Sequence, residues 1–123
     1  MGGRGSGSGG RGGRAPTGYR TVKKIGGIRA IKSNTGKGLP SKSSPSSKYY
    51  RVDSSGKVSQ YREYDKKGNA QKDIDWEHAH NGIPKGTPHT HDWENGKRGD
   101  GRRLTPKEQK KYQKRIHKVM EGK

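Results

Sequence analysis

The sequence predicts a small α+β domain: a three-stranded antiparallel meander closed by a C-terminal helix, behind a disordered basic N-terminal arm. Three observations predict it. Two turn signals of the form Asp-x-x-Gly, Asp53-Ser54-Ser55-Gly56 and Asp65-Lys66-Lys67-Gly68, lie twelve residues apart. A helix-start pattern, Thr105-Pro106-Lys107-Glu108, follows near the end. Ahead of both, residues 1–47 are dense in Gly, Ser, Lys and Arg. Hydrophobic residues make up 21% of the 123 and Phe is absent, so a large core is excluded and a small folded part with arms is expected.

Residues 1–18 are low-complexity Gly, Ser and Arg, a composition that leaves the backbone free and supplies charge. Gly10-Arg11-Gly12-Gly13-Arg14 looks like an RGG-type segment that clings to single strands through charge and Arg stacking. In residues 19–33, Gly26-Gly27 sits between two runs rich in β-branched side chains, the signal of a two-residue hairpin. It would pair Ile25 with Ile28 and Val22 with Ile31, on opposite faces. Residues 34–47 have the Pro, Ser and Gly density of a linker.

The folded domain is expected over residues 48–123. Asp favours the first position of each Asp-x-x-Gly turn, and Gly supplies the positive φ that closes it. The turns separate strands at Tyr49–Val52, Lys57–Tyr64 and Asn69–Trp76. Alternation puts Ala70, Ile74 and Trp76 on one face of the third strand and Asp73 and Asp75 on the other. In the helix, Thr105 caps, Pro106 takes the first turn and Glu108 completes the capping box. It should run to about Met120, with Gly122 as the stop. Its apolar stripe is Tyr112, Ile116 and Val119, and its other side carries Lys107, Lys110, Lys111, Lys114 and Lys118.

Charge narrows the function. Lys and Arg number 29 against 11 Asp and Glu, a formal net charge of +18. Residues 1–48 hold eleven of those cations and no acid. That is the footprint of a polyanion binder, and Arg4, Arg11, Arg14 and the five helix lysines are its candidate nucleic-acid contacts. The absence of Cys excludes disulfides, thiolate metal sites and a Cys nucleophile. No apolar run approaches membrane-spanning length, and the first residues lack the apolar centre of a secretory signal, so no membrane partner is expected.

The densest chemistry lies in Asp73-Ile74-Asp75-Trp76-Glu77-His78-Ala79-His80 and His89-Thr90-His91-Asp92-Trp93. On extended backbone each His-x-His pair puts both imidazoles on one face. Asp75, His78, His80, His89 and His91 are candidate ligands for a divalent metal such as zinc, which would also staple a thin core. A metal-free ribonuclease is the second chemistry: His80, His89 or His91 as proton carrier, with Lys85, Lys97 and Arg98 on the scissile phosphate. A purely structural role, polar side chains bonding a loop, is the third.

The block from Tyr49 to Trp93 resembles a module from tailed phages of Gram-positive bacteria, encoded near the head-morphogenesis genes as a small protein or as a tail on a minor head protein. It is also similar to toxin-like C-terminal domains of polymorphic toxins. The matching features are the twin Asp-x-x-Gly turns, Asp73-Ile74-Asp75 followed by an aromatic residue, and the Gly-Pro-His loop ending in His91-Asp92-Trp93; the Met-Gly-Gly-Arg-Gly start fits the same gene neighbourhoods. The resemblance covers about residues 48–95 and implies a phage setting, in host cytoplasm or virion. It assigns no catalytic residue. The expected function is therefore a basic, non-catalytic, phage-encoded accessory protein on DNA or RNA. The alternatives are a small toxin-like nuclease centred on the His78–His91 loop, and a module that binds a phage structural protein or an acidic host protein.

Overall fold

The computed structural model describes residues 15–76 and 88–121. Among these residues eight strands precede one helix: β1 (Tyr19–Ile25), β2 (Ile28–Ser33), β3 (Lys48–Val52), β4 (Val58–Tyr64), β5 (Ala70–Asp75), β6 (His89–Glu94), β7 (Lys97–Arg98), β8 (Arg102–Arg103) and α1 (Pro106–Glu121). All eight strands form one sheet, ordered β1-β2-β3-β4-β5-β6, with β7 and β8 both pairing the outer side of β6. This corrects the expected fold class. The protein is mostly β, a mixed sheet with a C-terminal helix, and not a three-stranded meander. The strands flanking the two Asp-x-x-Gly turns are only its centre.

Those turns form because each Asp caps its own loop. Asp53 Oδ1 accepts from the amides of Ser55 (2.8 Å) and Lys57 (3.0 Å), and Asp65 Oδ1 accepts from those of Lys67 (2.8 Å) and Asn69 (2.9 Å). Gly26-Gly27 joins β1 to β2 with Ile25 opposite Ile28. A register shift between Thr21 and Lys23 then puts Thr21, in place of Val22, opposite Ile31.

The expectation that fails most clearly is the linker at residues 34–47. β2 and β3 are parallel, and parallel neighbours need a crossover of about a dozen residues. Residues 34–47 are that crossover, and they return across the sheet. Their backbone is tied down: Ser41 O accepts from Ala70 N (2.9 Å), Ser43 N donates to Gly68 O (2.8 Å) and Ser46 N donates to Asp65 O (2.8 Å). The approach at Gly68 is so close that a Cβ there would collide with Ser43 O. The expected disordered arm falls partly outside the described residues, as residues 1–14.

The sheet buries both faces. Against α1 lie Ala30, Tyr50, Val52, Val58, Tyr61, Ile74 and Trp76, met by Leu104, Tyr112 and Val119. The capping box is made reciprocally, Thr105 N to Glu108 Oε1 at 2.9 Å and Glu108 N to Thr105 Oγ1 at 3.2 Å. Under the crossover lie Ile31, Tyr49, Tyr64 and Ala70, met by Leu39 of the crossover itself. Ala70 therefore leaves the face of Ile74 and Trp76, contrary to simple alternation, because the β4–β5 register shifts between Glu63 and Tyr64.

Candidate functional site

The face turned from α1 carries two polar rows across the sheet. Register places Tyr49, Arg62, Asp73 and His91 in one row, and Arg51, Gln60, Asp75 and His89 in the next. Alternation does the rest: Asp73 and Asp75 on β5 share a face with His89 and His91 on β6.

Asp73 is the hub. It is fully buried. Its Oδ1 accepts from Arg62 Nε at 2.5 Å, and its Oδ2 accepts from Arg62 (2.9 Å), Arg98 Nε (2.8 Å) and Trp93 Nε1 (3.2 Å). Arg62 is half of a bidentate pair, and its third nitrogen donates to the carbonyls of Leu39 (2.8 Å) and Pro40 (3.3 Å). Burial alone would lower the Arg62 pKa, but the hydrogen bonds and charge of Asp73 outweigh it and raise it. The same guanidinium sits 4.8 Å from the centre of the Trp93 ring.

Asp75, His89 and His91 form a buried group able to hold a metal ion; one ligand atom from each lies within 4.8 Å of the others. Their exposures are 2%, 0% and 3%. Asp75 Oδ2 stands 3.1 Å from His91 Nε2 and 3.6 Å from His89 Nε2, and it also accepts from Arg98. His91 Nδ1 lies 2.8 Å from Gly99 O. A carbonyl only accepts, so Nδ1 carries the proton and Nε2 faces the carboxylate. Nε2 and a carboxylate oxygen at 3.1 Å need a proton or a metal ion between them. A carbonyl behind the ring that fixes its tautomer is the arrangement seen around metal-bound imidazoles.

Neither a family model, nor a curated protein, nor a solved structure matches this chain.

The sequence-derived candidates divide as follows. Asp75, His89 and His91 come together. His78, His80 and Lys85, like Arg4, Arg11 and Arg14, lie outside the described residues. Lys97 is exposed on β7. Arg98 is held by Asp73 and Asp75. Lys107, Lys110, Lys111, Lys114 and Lys118 are all exposed on α1. Sequence reasoning missed Arg62 as the buried partner of Asp73. It also missed the Asn95-Gly96 turn, where both residues have positive φ (52° and 77°). Asn-Gly is a strong two-residue hairpin signal, and here it returns Arg98 opposite Trp93.

A cleft of about 420 Å³ opens beside the group, between the sheet and the crossover. Asp75 and Arg98 line it, together with Tyr19, Leu39, Arg51 and Gln60 among others. A second charged cluster ties the opposite face to α1: Lys72 and Arg102 each bond both Asp92 and Glu108. Arg102 first, then Lys72, hold the Glu108 carboxyl well below the usual range against the opposing effect of burial. Among the described residues no helix is long and apolar enough to cross a membrane.

Proposed function

We propose that the protein is a basic, non-catalytic accessory protein that associates with DNA or RNA, in the phage setting its resemblance implies. The observation that supports this best is the outer side of α1. Lys107, Lys110, Lys111, Lys114 and Lys118 are exposed, while the nearby acid, Glu108, turns inward to Lys72 and Arg102. Asp73, Asp75 and Asp92 are likewise engaged by Arg62, Arg98, Lys72 and Arg102. These four acids and four cations cancel one another, so the net charge of +18 is carried by residues outside this network.

Binding through such a surface releases counterions, so affinity falls steeply with salt and depends little on sequence. Replacing the five helix lysines with alanine is expected to flatten the slope of log affinity against log salt by roughly 0.7–0.9 for each phosphate left without its lysine. Fluorescence anisotropy on single- and double-stranded oligonucleotides measures it. An affinity indifferent to salt, or unchanged in the variant, removes the support for this reading.

We infer that Asp75, His89 and His91 take a divalent ion such as zinc. Three protein ligands leave a coordination position open, which is the pattern of catalytic more than structural zinc sites. One observation favours a second reading, a small nuclease: Asp75 belongs to both the ligand group and the cleft. Zinc titration of the wild type and of the His89→Ala/His91→Ala variant is expected to show one equivalent bound, lost in the variant. Labelled RNA and DNA are expected to stay intact with and without chelator. Cleavage abolished by chelator and by Asp75→Asn would replace the accessory reading with the nuclease.

A further inference from the structure

The cleft beside Asp75 has a chemistry of its own. Its walls come from β2, β3 and β4, and its cover from the crossover at Gly36 to Leu39. The hydroxyl of Tyr19 donates to Gly38 O and holds that cover to β1.

Two groups in the Arg51–Gln60–Asp75 row lack a hydrogen-bond partner among the described residues. Arg62 and Arg98, on the same face, are each paired with carboxylates. Arg51 differs: half-buried and lining the cleft, its guanidinium has no hydrogen-bond or ion-pair partner among the described residues. Lys37 lines the cleft too, exposed and equally without an acid partner there. Asp53, the other acid along the wall, engages Oδ1 with the turn amides of Ser55 and Lys57. A guanidinium in a walled site that pairs with no acid among the described residues suits an anion, and its planar fork matches phosphate. Asp75 has the opposite need. Asp75 Oδ1 is buried and accepts no hydrogen bond, so it suits a donor. Register puts Arg51 and Asp75 two strands apart, about 10 Å between Cα atoms.

A ligand for this cleft therefore carries a phosphate at one end and a hydroxyl or amine donor roughly one sugar away. The volume, about 420 Å³, lies in the range of small-ligand pockets. Tyr19 adds an aromatic side chain to the wall, on which a base can stack. We propose that the cleft binds one nucleotide unit of a single strand, with the phosphate on Arg51 and Lys37 and a sugar or base donor on Asp75 Oδ1. This rests on the nucleic-acid reading above and assigns it a second, enclosed contact that the α1 surface does not provide.

High salt separates the two contacts, because screening at about 0.5 M weakens exposed charges far more than enclosed ones. The full chain, its Arg51→Ala and Arg51→Lys variants, and the five-lysine variant of α1 are titrated there with adenosine 5′-monophosphate, inorganic phosphate and a short single-stranded oligonucleotide. The nucleotide and the oligonucleotide are expected to bind the wild type, with inorganic phosphate weaker. Arg51→Ala should lose at least tenfold, Arg51→Lys less, and the five-lysine variant little. The Arg51 side chain makes no hydrogen bond within the described fold, so the melting temperature should not move. Equal affinity of Arg51→Ala and wild type for the nucleotide overturns the proposal, as does no nucleotide binding at all. If strand binding persists at low salt in that case, the surface reading survives and only the cleft fails. Nucleotide binding without any strand binding overturns both the surface reading and the claim that the occupant belongs to a strand.

Discussion

Replacing Asp73 with asparagine is expected to destabilise the fold by about 3–5 kcal/mol, the size of effect seen when one partner of a buried ion pair is removed. The intact pair need not be strong for this to hold. Desolvating two charges offsets much of their attraction, so a buried pair adds little net stability over apolar side chains of equal volume. The damage comes from what is left behind. Arg62 is itself buried; without Asp73 its guanidinium keeps the carbonyls of Leu39 and Pro40, which carry no counter-charge. Arg98 loses one carboxylate but retains Asp75, and its side chain is 34% exposed, so it adds less to the penalty. Urea unfolding measures the loss, and a fall in Tm on the order of 15–20 °C accompanies it. The double change Arg62→Met/Asp73→Leu should recover most of the stability, since it removes both charges together. A single-variant loss under about 1 kcal/mol would mean that water reaches the pair and that the crossover does not seal this face.

That sealing was hidden in the sequence for a physical reason. Residues 34–47 contain one large apolar side chain, Leu39, and otherwise Pro, Ser, Gly, Lys, Thr and Asn, the composition of a tether. Their order comes from backbone hydrogen bonds to β4 and β5 and from carbonyls offered to Arg62 and Tyr64. Such bonds leave no trace in side-chain composition. β6 was hidden for a related reason. His89-Thr90-His91-Asp92-Trp93 has no apolar alternation, yet its first three residues are buried, beside the ion pairs of Asp73 and Asp75 and with Thr90 and His91 bonded to backbone carbonyls. What could be read was local. The Asp-x-x-Gly turns, the Gly26-Gly27 turn and the Thr105–Glu108 capping box each involve residues within four positions of one another. The site was half legible on the same terms: alternation alone puts Asp73 with Asp75 and His89 with His91. Arg62, eleven residues from Asp73, and the parallel β2–β3 pairing depend on register that no short window contains.

Alkaline pH is expected to unfold the protein steeply above about pH 10, and the cause is its buried tyrosines. Tyr61, Tyr64 and Tyr112 are 0%, 4% and 1% exposed. Burial is the largest influence on each and pushes all three hydroxyls well above the ordinary tyrosine range. The carboxylate of Glu63 adds to this for two of them, accepting from Tyr61 at 2.9 Å and from Tyr112 at 2.7 Å. For Tyr64 the charge of Arg62 acts in the other direction, without reversing the shift. A raised pKa means that the folded state keeps a proton which the unfolded chain releases above about pH 10. The stabilisation is therefore complete below that pH and is lost as the pH climbs toward the folded values. Each tyrosine contributes about 1.4 kcal/mol per pH unit in that window, so three together remove roughly 4 kcal/mol by about pH 11. Lys72 acts with the same sign: burial opposes its charge, but hydrogen bonds from its ammonium to Asp92 and Glu108 outweigh it and raise its pKa. The measurement is tyrosinate absorbance alongside circular dichroism during a pH titration. At least three tyrosines should ionise only as the sheet melts. If all six tyrosines titrate near pH ~10 while the sheet persists, then Glu63 and its two tyrosines are open to water and the seam between α1 and the sheet is not closed.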